Sequence, residues 1–137
     1  MATKIIKGYR QLLEEAEAVA RTISVDEAKE LLGSEEHVFV DIRDIREVQR
    51  EGCIPGAHIC PRGMLEFWID PDCKYHKPLF AEQKIFVLYC ASAWRSALAA
   101  KMVMEMGLDP VVHLAGGFTA WKDAGLEIYR REAKPKG

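Results

Sequence analysis

Ile85-Phe86-Val87-Leu88-Tyr89 is an unbroken apolar run that ends on Cys90 and a loop of mostly small residues, Ala91-Ser92-Ala93-Trp94. A run of this length with no polar alternation suits a strand buried on both faces, the condition of parallel sheets. The next stretch, Arg95-Ser96-Ala97-Leu98-Ala99-Ala100-Lys101-Met102, is rich in helix formers, and a helix is expected over 95–106. A buried strand feeding a helix through a tight loop is half of a strand–helix–strand unit, which restricts the chain to α/β architectures. It also fixes the surroundings of Cys90. A side chain at that junction faces loop N–H groups and the positive end of a helix dipole, and both favour a thiolate over a thiol.

The remainder of the chain repeats the alternation. Tyr9, Leu12, Leu13, Ala16, Val19 and Ala20 recur at helical spacing. Thr22-Ile23 reads as a minor edge strand, and Ser24-Val25-Asp26-Glu27 is a capping-box pattern that starts a helix running to Leu32 and stopping at Gly33. His37-Val38-Phe39-Val40-Asp41 is a second buried strand, followed by a helix from Arg43 to Arg50 that Gly52 ends. Ile54-Pro55-Gly56-Ala57 is a turn and His58-Ile59-Cys60 a very short strand. Residues 61–83 read as a long surface excursion with one short helix over Gly63 to Phe67. Val111-Val112-His113-Leu114 is the last strand, and a short helix from Phe118 to Ala124 comes after the Gly116-Gly117 turn. Strands that alternate with helices in this way predict a mostly parallel five-stranded sheet with helices on both faces. Sites in such sheets form at the carboxyl ends of strands, where Asp41 and Cys90 both fall.

With 137 residues and no linker or repeat, one domain is expected, bounded as a helical extension over 1–21, the main domain over 22–130 and a tail over 131–137. A net charge of −2 gives no basis for nucleic-acid or anionic-membrane binding, and no apolar stretch approaches membrane-spanning length. Cys53, Cys60, Cys73 and Cys90 form no C-x-x-C pair and have no zinc-like spacing with the histidines. The first residues lack the apolar core of a signal peptide, so free thiols in a reducing cytoplasm are the expected setting.

Nucleophilic sulfur chemistry at neutral pH needs a thiolate, and a cysteine pKa of about 8.5 falls to ~3.5–7.5 at helix N-termini or beside cations. Arg95 lies where the loop curls its guanidinium back toward the sulfur, and its planar donor fork suits an anion. The hydroxyls of Ser92 and Ser96 add donors, and small Ala91 and Ala93 let the backbone curve closely around the nucleophile. Burial as an inert small hydrophobe is the competing expectation for Cys90. Asp41 is expected to anchor its loop through a salt bridge with Arg43, a structural role. Arg62 is a cation just past the short strand: a place in the cleft is weighed against that of an ordinary surface arginine. Core packing is expected for Phe67, Trp68 and Trp121, a surface role for His76, and no catalysis from Cys53, Cys60 or Cys73.

Four separated pieces resemble the rhodanese domain family, in that family's order. They are Val40-Asp41-Ile42-Arg43, Gly52-Cys53-Ile54-Pro55-Gly56-Ala57-His58-Ile59, the loop from Tyr89-Cys90 through Arg95-Ser96, and Leu114-Ala115-Gly116-Gly117-Phe118-Thr119-Ala120-Trp121. The resemblance spans about Ile23 to Leu126 and implies a rhodanese-like fold. It implies a sulfurtransferase of the thiosulfate type, with Cys90 as nucleophile and residues 91–96 around the substrate; Arg62 joins the substrate-binding candidates only through its place past the short strand. A small-molecule sulfur donor would charge Cys90 with a persulfide. Cyanide, a small thiol or a protein thiol would then accept the sulfur, with no metal or organic cofactor. The loop from Cys90 to Arg95 inclusive is six residues, as in the family's sulfurtransferases, whereas related phosphatases and arsenate reductases use a C-x-x-x-x-x-R loop one residue longer. A non-catalytic binding or redox-sensing module is the alternative on the same fold. Two departures stand out: Ala93 where the family often has glycine, and Trp94 where it has a small or polar residue. Alanine tolerates positive φ poorly, so a strained or altered loop is expected, with Trp94 either shading the mouth or packing.

Overall fold

A computed structural model describes residues 2–130, so the tail expected over 131–137 lies outside the described residues. Five parallel strands, β1 (Arg21–Ile23), β2 (His37–Asp41), β3 (His58–Ile59), β4 (Ile85–Tyr89) and β5 (Val111–Leu114), form one sheet in the order β1-β5-β4-β2-β3. The helices are α1 (Tyr9–Val19), α2 (Val25–Glu30), α3 (Ile45–Glu51), α4 (Leu65–Ile69), α5 (Trp94–Met106) and α6 (Gly117–Asp123). The two apolar runs seen in the sequence, β2 and β4, are paired in register from His37 with Ile85 to Asp41 with Tyr89. Their central place in the sheet is why neither shows polar alternation.

The pleat sends successive side chains to opposite layers. Val38, Val40, Phe86, Leu88 and Val111 pack with Leu65, Ile69, Ala99, Ala100 and Val103, so α4 and α5 cover one face. Phe39, Val87, Tyr89, Val112 and Leu114 pack with Ala28, Phe118 and Trp121 on the other, beneath α2 and α6. The Trp121 indole is fully buried and donates its N–H to the Glu127 carbonyl at 2.8 Å, so its polar edge is satisfied. Helix α1 lies along α5 on the first face, with Ala16 fully buried.

Boundaries differ from expectation for identifiable reasons. Helix α3 starts at Ile45, not Arg43, because Asp44 caps it in a reciprocal box with Glu47. The excursion holds more structure than the one helix expected. A 3-10 turn over Arg62–Met64 leads into α4, and another over Pro78–Ala81 opens on a proline that presets the turn. Phe67 is half exposed rather than core, whereas Trp68 packs on the buried cluster.

Candidate active site

Asp41 is the last residue of β2, and its fully buried carboxylate grips Arg43 two residues on. The Arg43 Nε donates to Asp41 Oδ1 at 3.0 Å and Nη2 to Oδ2 at 2.7 Å, while the Arg43 backbone N–H also donates to Oδ1 at 3.0 Å. The guanidinium then reaches outward: Nη2 donates to the Gly52 carbonyl at 2.6 Å, Nη1 lies 3.5 Å from Glu51 Oε2, and the cation sits 4.1 Å from the centre of the Phe118 ring. Burial works against this charge, and the bonds to Asp41 outweigh it, holding Arg43 more firmly protonated. The Tyr89 hydroxyl accepts from the Ile54 N–H at 3.0 Å. One buried cluster therefore ties together the D-x-R element, the G-C-I-P-G-A turn, the end of β4 and the closing G-G-F element. Gly52 has φ 84°, and a Cβ there would lie 2.6 Å from Ile128 Cγ2 and 2.7 Å from the Tyr129 carbonyl, which explains the glycine.

Directly beyond β4 the loop closes around the sulfur of Cys90. Ala93 N–H donates to Sγ at 3.2 Å and Ser96 N–H at 3.4 Å. Ala93 takes φ 84° and ψ −4°, the left-handed conformation, so this chain keeps a glycine-type turn with an alanine and bears the strain. The other half of the loop is held by α6: Phe118 N–H donates to the Cys90 carbonyl at 2.7 Å and Thr119 N–H to the Ala91 carbonyl at 3.1 Å. This contact is close enough that a Cβ on Gly117 would lie 2.7 Å from the Ala91 carbonyl carbon. The second glycine of the G-G-F element is thus fixed by the approach of α6 to the loop.

Cys90 has no exposed surface, while Ser92 and Trp94 on the rim are exposed. The side chain is buried, and two backbone amides aim at its sulfur. Arg95 lies close enough to the sulfur to interact with it, but its fork closes elsewhere. Its Nη1 and Nη2 donate to Glu47 Oε2 and Oε1 at 2.8 and 3.0 Å, so the fork closes on a carboxylate of α3. Glu47 first, and the sulfur of Cys90 after it, hold the Arg95 charge more firmly, and the Arg95 bonds in turn hold the Glu47 carboxyl below its usual range. Sequence reasoning misses Glu47, although its place at the fourth position of the Asp44 capping box is a readable signal. Trp94 is 56% exposed and lies against Tyr9 of α1 with ring centroids 5.3 Å apart, so it is neither core nor free.

Arg62 has a carboxylate partner of its own. It donates to Glu66 at 2.6 Å and lines a cleft with Lys7, Leu12, Glu15, Leu98 and Lys101 between α1 and α5. The helical turn that begins at Arg62 brings its guanidinium onto the i+4 carboxylate. The remaining thiols fit inert roles. Cys60 is fully buried and its thiol is pushed up to about 12, chiefly by burial, and burial also raises Cys53. Cys73 is half-buried.

Residues 24–124 match the rhodanese-like domain family. The chain belongs to the rhodanese-like family. A solved structure from Rhodopseudomonas palustris, of a protein of unknown function described as a possible tyrosine phosphatase, superposes with a TM-score of 0.91 at 51% identity, covering 94% of this chain and 99% of that one. The thiosulfate sulfurtransferase GlpE of Pseudoalteromonas translucida is 30% identical over 109 residues, 80% of this chain and 95% of that protein. An uncharacterized Synechocystis protein is 42% identical over 55 residues, which is 40% of this chain and 31% of that protein's length. The rhodanese motifs thus coincide with the two clusters just described: one is the buried Asp41–Arg43 clamp, the other the amide ring around Cys90.

Proposed function

We propose that this protein is a sulfurtransferase that moves a sulfane sulfur from thiosulfate, or from a persulfide donor, to cyanide or a thiol through a persulfide on Cys90. The observation that carries the reading is the six-residue loop in which the Ala93 amide, and that of Ser96 just after it, both aim at the Cys90 sulfur. Such amides stabilise a negative sulfur, first as the thiolate and then as the terminal sulfur of the persulfide. In the first half-reaction the Cys90 thiolate attacks the outer sulfur of thiosulfate. The new S–S bond forms as the old one breaks, and its electron pair leaves on sulfite. In the second, cyanide or a thiolate attacks the terminal sulfur, and the electron pair of the Cys90 persulfide bond returns to Cys90 as a thiolate. No net redox change occurs, and the two halves give ping-pong kinetics. Arg95 supplies a fixed positive charge at the rim that favours anionic donors. Cys90 has no exposed surface, so donor entry requires the covering over its sulfur to open.

The name given to the Rhodopseudomonas palustris relative raises phosphoryl transfer as a second reading. One feature weighs against it here: the loop has one residue fewer than the family's phosphatases use.

Intact-mass measurement after thiosulfate treatment tests the proposal. A gain of about 32 Da, one sulfur atom, mapped to Cys90 and discharged by cyanide, is expected. Cys90→Ala should fold and take up no sulfur. An unchanged transfer rate in that variant, or fast turnover of an activated aryl phosphate by the wild type without sulfur uptake, overturns the assignment.

A further inference from the structure

His113 is a buried histidine, 2% exposed, that the sulfur chemistry leaves without a task. The pleat of β5 points it to the α5 layer, where its Nδ1 lies 3.1 Å from Ser96 Oγ and its Nε2 lies 2.9 Å from Thr22 Oγ1 on the edge strand β1. Ser96 Oγ is also 3.2 Å from the Ala93 carbonyl. The direction of this string is fixed by what each group can do. A carbonyl only accepts, so the Ser96 hydroxyl donates to Ala93. Having spent its one proton, that hydroxyl must accept from His113 Nδ1–H, and the bare Nε2 then accepts from the Thr22 hydroxyl. Burial keeps the imidazole neutral, with the carboxylate of Glu17 on α1 pulling weakly the other way.

The string ends on the one residue in the loop that is strained. Left to itself, Ala93 would leave φ 84° for the negative-φ regions and rotate its N–H away from the sulfur. We infer that His113 is a positioning residue for the proposed nucleophile: through Ser96 it helps to hold the strained Ala93, so that the Ala93 N–H stays aimed at Cys90 Sγ. The histidine selects one Ser96 rotamer, and that rotamer bonds the Ala93 carbonyl beside the Ala97 N–H at 3.0 Å. With the Ala93–Trp94 peptide held from two sides, Ala93 keeps φ 84° and the preceding peptide keeps its N–H on the sulfur. In this chain a histidine on the neighbouring strand supplies part of the constraint that glycine would make unnecessary. The inference rests on the reading of Cys90 as the nucleophile, and its addition is the device that keeps the thiolate stabilised.

The test is alkylation of Cys90 by iodoacetamide as a function of pH, with the modified cysteine mapped by mass spectrometry. Replacement by His113→Leu removes the donor to Ser96. The midpoint is expected to rise by about one pH unit, which is about tenfold less thiolate near neutral pH. Replacement by His113→Asn keeps an N–H donor near the Nδ1 position and is expected to restore most of the wild-type midpoint, a rescue that mere filling of space would not give. A folded His113→Leu protein with the wild-type midpoint, or a His113→Asn midpoint no better than that of leucine, overturns the inference. If the leucine variant does not fold, Ser96→Ala decides. It keeps the Ser96 N–H on the sulfur and loses only the hydroxyl, so the same upward shift is expected, and its absence overturns the inference. Sulfur uptake from thiosulfate is scored separately. A wild type with a low alkylation midpoint and no persulfide defeats the sulfurtransferase reading alone, whereas a persulfide-forming wild type with a midpoint indifferent to residue 113 defeats this inference alone.

Discussion

Arg43 and Arg95 make the same bond in opposite surroundings. Each closes its fork on a carboxylate, Asp41 for the first and Glu47 for the second, but the Arg43 side chain is 0% exposed and the Arg95 side chain 41% exposed. Arg43 also donates from Nη2 to the Gly52 carbonyl and lays its face on Phe118, so three pieces of chain depend on the buried pair. The outer pair joins only α3 to the start of α5, where water competes with it. Burial, not pairing, therefore separates a charge that holds the fold from a charge that water still reaches at the rim.

The hardest test of that contrast is to remove one partner of the buried pair. Asp41→Ala should destabilise by about 3–5 kcal/mol, because it strands the Arg43 guanidinium in the interior. Replacing both partners together, Asp41→Leu with Arg43→Met, should recover much of that loss, since no orphan charge remains. Denaturant midpoints of the three proteins check this, and a single variant within about 1 kcal/mol of wild type would erase the distinction between the pairs. Arg95→Ala sets the other side. Stability should change by no more than about 1 kcal/mol, while thiosulfate-dependent sulfur transfer should fall on the order of 10–100-fold through lost positioning. Equal losses of stability at Arg43 and Arg95 would show that exposure is not what sorts them.

Much of this contrast is legible in the sequence, for physical reasons. The Asp41–Arg43 pair is two residues apart at the end of a buried strand, so its bond is local and set by the backbone. The junction at Cys90 is equally local: a buried run, small residues, then helix formers. Helix α2 announces itself through Ser24 and Glu27, whose reciprocal cap is present as expected. The features that escape depend on distant parts of the chain meeting. Glu47 sits among alternating charges on α3, and nothing in that stretch points to a partner 48 positions on. The contact of Ser96 with His113 needs the β4–β5 register, which places strand and helix together only after folding. Nearness to a strand end suggests a cleft position for Arg62, but not the bond to Glu66 in the turn it starts. Trp94 meets Tyr9 because α1 lies along α5, an arrangement that helical periodicity in 9–20 does not specify.

The finest probe of the outer pair is pH. Bonds from Arg95 hold the Glu47 carboxyl below its usual range, so the folded protein binds a proton there less readily than the unfolded chain does. The stabilisation is therefore fully present above the unfolded value of about 4.3 and is lost as pH falls through the lower folded value. At a partly exposed site the loss should stay below about 1 kcal/mol. Glu47→Gln removes the titration while leaving an amide oxygen for one guanidinium N–H. Its stability relative to wild type should consequently improve on acidification from about pH 5 toward about pH 3, values chosen to bracket that unfolded pKa of about 4.3. A difference between the two proteins that stays constant across that interval would mean that the Glu47–Arg95 contact carries no linkage. Arg95 would then be positioned by the loop alone.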